Sequence, residues 1–143
     1  MPQRHNDWSR QAERDLTHAR RATEEGHHEW SCFAAQQAAE KAVKAVYQKL
    51  GAVAWGHSVT MLLTNLPDPH RPAEELVERA KALDKHYITT RYPNGFDQGA
   101  PMDYYTSSEA ERSIEDAQAI IDFCADTLAR LAGRDPAAEN RRP

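Results

Sequence analysis

The sequence predicts an all-α fold: an up-and-down antiparallel bundle of three long helices completed by a shorter helical pair. Three observations carry that prediction. Trp30 to Leu50 runs 21 residues without Gly or Pro and is built of Ala, Gln, Glu, Lys and Leu, which lose little entropy in a helix. Apolar residues elsewhere recur at three- and four-residue steps, and no segment alternates with the period of two that a strand needs. Short Gly-containing links separate the helical segments and turn the chain back on itself.

The first helix is expected from Asp7 to about Glu25, with Trp8, Ala12, Leu16, Ala19 and Thr23 inward and Asp7 or Asn6 as its N-cap. Gly26 ends it, and the Gly-His-His link forces an antiparallel return, leaving His27 and His28 as solvated turn residues. In the central helix Trp30, Phe33, Ala34, Gln37, Ala38, Lys41, Ala42, Ala45 and Val46 share one face. Its alanines allow a neighbouring helix a close approach. Gln36, Gln37, Glu40, Lys41 and Lys44 fall beside or within this stripe, so the helix carries polar groups inward or along a seam. Gly51 closes it.

Ser58 caps a short helix over about 57–66, with Val59, Leu62, Leu63 and Leu66 inward. Pro67, Pro69 and Pro72 make the next segment a turn, and Pro72 suits the first turn of a helix reaching about Tyr87. Ile88 to Tyr105 holds two Pro, two Gly, three Tyr, a Phe and an Arg without a sustained period, and reads as a functional loop. Thr106-Ser-Ser-Glu109 is a capping box. Behind it Ala110, Ile114, Ala117, Ile121, Cys124, Leu128 and Leu131 alternate steps of four and three, the rhythm of a bundle seam. The expected organisation is a flexible tail over 1–6, a helical bundle domain over 7–133 and a flexible tail over 134–143.

Composition narrows the function. The 143 residues carry a formal charge of -4 and no long basic block, so nothing in the balance favours a large nucleic-acid surface. No run approaches the ~18 apolar residues of a membrane span, and the N-terminus lacks the apolar core of a secretory signal. The expectation is a cytoplasmic protein whose two cysteines, Cys32 and Cys124, are buried thiols. The seven histidines form no zinc-ligand spacing, and there is no phosphate-binding Gly loop or nucleophile elbow.

A phosphate can still be held by Lys, Arg and His side chains alone. Lys41 and Lys44 on the central helix, His57 before the short helix and Arg91 in the aromatic segment are the candidates. Each has a structural alternative: Lys41 pairing with Glu40, Asp84 or Glu109, His57 capping locally, and Arg91 pinned by Asp97 or Asp103. Arg79 and His86 flank six residues, and Arg21 and His27 five, spacings seen where His acts as acid or base and Arg steadies phosphate charge. With seven histidines such spacings arise easily.

The blocks CFAAQQAAEKAVKA, WGHS followed after three residues by Leu-Leu, and ALDKHYITTRYPNG, ahead of a Tyr-Thr-capped last helix, resemble the HEPN domain family of prokaryotes. The likeness runs from Trp8 to Leu131 and is strongest to small stand-alone members encoded beside minimal nucleotidyltransferases. It implies an up-and-down bundle, a homodimer, and a polar cleft between central helix and loop. It also implies a nucleotidyltransferase partner, nucleotide binding, or ribonuclease action in a toxin–antitoxin pair. Ribonuclease members carry Arg, four to six residues, then His, with a polar residue after the Arg. Here Ala80 follows Arg79, His86 stands where related sequences have Tyr, and Arg91 has no such His.

The leading expectation is therefore a non-catalytic dimeric module that needs no cofactor or metal and binds ATP or GTP beside its partner. Arg91, Lys41 and Lys44 would meet phosphate, Tyr92 or Tyr105 would stack the base, and His57 would lend a hydrogen bond. The alternatives are a metal-independent ribonuclease toxin using His86 with Arg79 or Arg91, and a purely structural scaffold.

Overall fold

A computed structural model describes residues 4–133. Residues 1–3 and 134–143, most of the two expected tails, lie outside the described residues. Three long helices form the body: α1 (His5–Glu24), α2 (His28–Leu50) and α7 (Ser107–Leu131). Between the last two run α3 (Val59–Thr64), α4 (Glu74–Asp84), α5 (His86–Thr89), a 3-10 turn (Pro93–Gly95) and α6 (Pro101–Tyr104). No strand occurs among the described residues.

α1 begins two residues before the expected Asp7, and its N-cap is Arg4 without a side-chain cap. Asp7 instead sits in the first turn, held by Arg4 Nε at 2.9 Å, where a carboxylate favours the positive end of the helix. Ala12, Leu16, Ala19 and Ala22 face inward, while Trp8 and Thr23 are half-buried at the edge. Gly26 turns at φ 84°, a left-handed conformation suited to glycine. Of the two turn histidines His27 is exposed, but His28 Nδ1 is hydrogen-bonded to Thr23 Oγ1 at 2.8 Å.

α2 is the axis of the molecule. It packs against α1 on one side and against α7, α3 and α4 on the others. Its burial therefore extends well beyond the expected stripe: Cys32, Ala35, Gln36, Ala39, Glu40, Val43 and Tyr47 are inside together with Ala34, Ala38, Ala42, Ala45 and Val46. The Trp30, Phe33, Gln37 and Lys41 side of the stripe is left partly open to solvent. The alanines pack, as expected, but on nearly all sides. Ser31 Oγ donates to the Ala19 carbonyl at 2.7 Å, fixing α1 against α2 with a buried hydrogen bond.

Ser58 caps α3 by accepting from Met61 N, and Tyr47 donates its hydroxyl to the Leu62 carbonyl at 2.7 Å. Pro72 lies ahead of α4 rather than inside it, and α4 starts from an Ala73 N-cap. The capping box of Thr106 and Glu109 forms as read. The aromatic segment is folded rather than loose. Phe96 and Tyr104 stack with ring centroids 4.4 Å apart, and Tyr104 donates to the Gln98 carbonyl at 2.6 Å. Gly99, at φ 81°, is crowded: a Cβ there would meet Asp103 Oδ2 at 3.0 Å and the Tyr104 ring at 3.2 Å.

Candidate functional site

Phe33, Gln37, Glu40 and Lys44 follow one another at steps of four, three and four, so they line a single edge of α2. Facing this edge are His57 in the α2–α3 connector, Tyr87 in α5, and Arg91 and Tyr92 just beyond α5. Residues up to 59 positions apart thus converge on one surface.

Glu40 is its hub. The carboxylate, whose side chain is only 5% exposed, receives His57 Nδ1 at 3.1 and 3.2 Å and Lys44 Nζ at 3.1 Å. A buried carboxylate persists when it is paired and hydrogen-bonded, and both conditions are met here. The next layer is an amide relay: Gln37 Nε2 donates to Gln36 Oε1 at 2.8 Å. Gln36, fully buried, donates to the His57 carbonyl at 2.9 Å and to Asp84 Oδ1 at 3.3 Å. Asp84, at the end of α4, also accepts from Val59 N, Thr60 N, Ser58 Oγ and Thr60 Oγ1 at 2.6–3.1 Å. One carboxylate therefore caps α3 from another helix and steadies the residues that follow His57.

Aromatic rings complete the surface. The His57 imidazole stacks on Tyr87 with centroids 5.2 Å apart and planes 16° apart. The Arg91 guanidinium carbon lies 4.5 Å from the Phe33 ring centroid, 4.7 Å from Tyr87 and 5.4 Å from Tyr92. Arg91 Nε and Nη2 both donate to the Tyr87 carbonyl, at 2.9 and 2.6 Å. It is thus fixed by backbone and rings, not by Asp97 or Asp103. A guanidinium set by cation–π contact keeps its remaining N–H groups for a ligand. Lys44 and Arg91 against one Glu40 leave this surface with a modest excess of positive charge.

The other candidates lie elsewhere. Lys41 points to α1 and pairs with Asp15, instead of Glu40, Asp84 or Glu109, beside a shallow hollow lined by Trp30, Phe33 and Gln37. Tyr105 is part of a different group. In α5, positions 86 and 89 share a face, whereas 87 lies on another side, where Arg91 folds back onto its carbonyl. Tyr105 Oη meets Thr89 Oγ1 at 2.7 Å and His86 Nδ1 at 3.0 Å, and burial pushes its hydroxyl pKa up. Thr89 spends its proton on the Lys85 carbonyl, so Tyr105 donates to Thr89 and His86 Nδ1 donates to Tyr105. Burial holds the His86 imidazole pKa below its ordinary value.

Arg79 and His86 do not meet. Arg79 binds Glu75 at 3.1 Å and Asp116 of α7 at 2.9 Å, ties that raise its pKa. Burial raises the Asp116 carboxyl in turn, with Arg79 opposing the shift. Arg21 and His27 are exposed at the α1 turn. Among the described residues no group of three or more His, Cys, Asp or Glu side chains could hold a metal, and no described helix is long and apolar enough to cross a membrane.

Sequence reasoning missed Glu40, Tyr87, Phe33 and Asp84 as parts of the site. Glu40 left a signal, since a Glu four residues before a Lys in an Ala-rich helix is a paired group. Asp84 left none, because its partners are 24 to 48 residues away.

Comparison with known proteins gives a consistent picture. Residues 5–128 match the family model described as the HEPN domain. A Methanocaldococcus jannaschii protein, MJ1304, named as a candidate toxin, is 27% identical over 133 residues, covering 87% of this chain and 88% of its own. The crystal structure of TT1696 from Thermus thermophilus superposes with a TM-score of 0.86 at 46% identity, covering 89% of this chain and all of that one. ST0689, described as an archaeal HEPN homologue, gives 0.76 at 41% identity, covering 90% and 99% of the two chains. A Thermotoga maritima HEPN domain protein, TM0613, gives 0.72 at 43%, covering 87% and 98%.

Proposed function

The chain belongs to the HEPN domain family, and from that membership we propose that it is a dimeric binding module of a toxin–antitoxin type pair, holding a nucleotide or phosphate group beside a nucleotidyltransferase partner in the cytoplasm. The observation that carries this reading is the convergence of Lys44, His57 and Arg91 on one partly open surface with an aromatic floor. Arg91 supplies N–H groups to phosphate oxygens, Lys44 adds a point charge, and His57 adds a hydrogen bond. Tyr92, half-exposed 5.4 Å from the Arg91 guanidinium, is the platform for a base. Lys41 serves at the margin. The name of the M. jannaschii relative supports the toxin–antitoxin setting.

The dimer reading rests on exposed apolar area. Trp30, Ile88 and Tyr92 are 47%, 53% and 50% exposed on the segments around Phe33 and Arg91, and a second copy is the commonest cover for such a patch.

The test is calorimetric titration of the full chain with ATP and GTP, its oligomeric state first fixed by light scattering. Saturable binding that Arg91→Ala abolishes and Lys44→Gln weakens is the expected result. Absence of heat with both nucleotides overturns the nucleotide site. The toxin name of the relative also keeps a ribonuclease reading in play, with His86 and Arg79 or Arg91 as its residues. RNA cleavage that survives EDTA and is lost in His86→Ala is its signature, but Arg79 is already committed to two carboxylates and His86 to Tyr105.

A further inference from the structure

We propose that His57 is a phosphoryl-acceptor site, its Nε2 a nucleophile oriented by Glu40. Two contacts fix the imidazole and a third its backbone: Glu40 binds Nδ1, Tyr87 stacks on the ring, and Gln36 holds the His57 carbonyl. The Glu40 carboxylate only accepts, so Nδ1 carries the proton and the lone pair resides on Nε2. The two ring nitrogens face opposite ways. With Nδ1 turned to a carboxylate inside the protein, Nε2 points away from it, on a side chain 58% exposed. Nε2 has no hydrogen-bond partner among the described residues. This is the arrangement in which a carboxylate fixes the tautomer and the ring orientation of a histidine. Lys44 pairs with the same Glu40 oxygen on the Nδ1 side, and Arg91 lies against the same Tyr87 ring, so two cations surround the one carboxylate of this cluster.

The donor class is an acyl phosphate. The Nε2 lone pair attacks phosphorus, the Nε2–P bond forms, and the P–O bond to the acyl group breaks. The carboxylate leaves with the electron pair and needs no proton. The imidazolium so formed keeps its Nδ1 proton against Glu40, whose negative charge offsets the new positive one.

The inference shares His57 and its surroundings with the reading above but needs neither a nucleotide nor a partner protein, so nucleotide titration and phosphohistidine labelling fail independently. The experiment treats the full-length protein with acetyl phosphate and reads acid-labile phosphohistidine by phosphorus NMR, mapped by mass spectrometry. The expected result is Nε2-phosphorylation at His57 ahead of the other six histidines. Glu40→Gln keeps the side-chain shape and removes the charge. It should slow labelling by about tenfold, the lower end of what loss of an orienting partner costs a histidine, while circular dichroism stays unchanged. His57→Gln should remove the leading signal. Labelling spread evenly over the histidines, or an unchanged rate in a folded Glu40→Gln, overturns the proposal and leaves the pair as a structural tie. Phosphorylation at Nδ1 overturns it too, because that nitrogen is the one Glu40 occupies.

Discussion

Asp84→Ala should be among the most damaging single changes outside the apolar core. The carboxylate accepts the first two backbone N–H groups of α3, from Val59 and Thr60, while Ser58 Oγ takes the third and its carbonyl the fourth. The bond from Leu62 to the Ser58 carbonyl is the first intrahelical one, so three orphan donors ahead of it are satisfied, two of them by Asp84. Truncation removes a cap worth about 1–2 kcal/mol. It also leaves the buried Gln36 amide short of an acceptor, a further cost of about 1–3 kcal/mol, although Gln36 keeps its bond to the His57 carbonyl. A total near 3 kcal/mol is the expectation, which for a domain of this size lowers Tm by roughly 10 °C. Asp84→Asn keeps one accepting oxygen but turns an N–H toward a backbone donor, and should lose about half as much. The assay is urea unfolding followed by far-UV circular dichroism, with linear extrapolation and a check that the slope is unchanged. A loss under about 1 kcal/mol for Asp84→Ala would show that water replaces the carboxylate and would refute the accounting.

Other outcomes follow from the same structure. His86 has its pKa lowered by burial, so the native state favours the neutral ring. Its contribution is present above the ordinary value of 6.5 and is lost as pH falls below it. Unfolding free energy should decline on acidification through that window, and His86→Phe should flatten the decline; an unaltered slope would contradict it. Burial raises both thiols, Cys32 to about 11 and Cys124 further. Neither should react with a thiol reagent at neutral pH until urea is added, and rapid native labelling would refute their burial. Ala38 is fully enclosed on α2, so Ala38→Leu should destabilise by about 1–3 kcal/mol through overpacking, as read by the same urea titration. Arg79→Ala leaves the Asp116 carboxyl without its charge partner, and carbon-13 NMR should find the pKa of that carboxyl raised further.

What the chain alone determined is its helical plan. The all-α class, the three long helices, the Ser58 cap, the Thr106–Glu109 box and the buried cysteines were legible because each depends on neighbours three or four residues away, and such signals survive in a linear string. Three residues of the proposed site, Lys44, His57 and Arg91, were also legible as types, being cations and an imidazole in an otherwise quiet sequence. Their grouping was not. Lys41 and Lys44 read alike on paper, yet one turns to Asp15 of α1 and the other to Glu40. Tyr92 and Tyr105 lie in the same aromatic segment, yet one stands beside Arg91 and the other is tied to Thr89 and His86. Phase around α2 decided the first case, since one residue rotates a side chain by about 100°; in the second neither tyrosine is helical, and the path of the segment decided it. Which phase faces a partner depends on where the other helices sit. Asp84 reaching across to cap α3, and Glu40 meeting His57, are contacts of 17 to 25 residues' separation that only the packed bundle creates. The sequence holds the groups, and tertiary packing around α2 decides which of them meet.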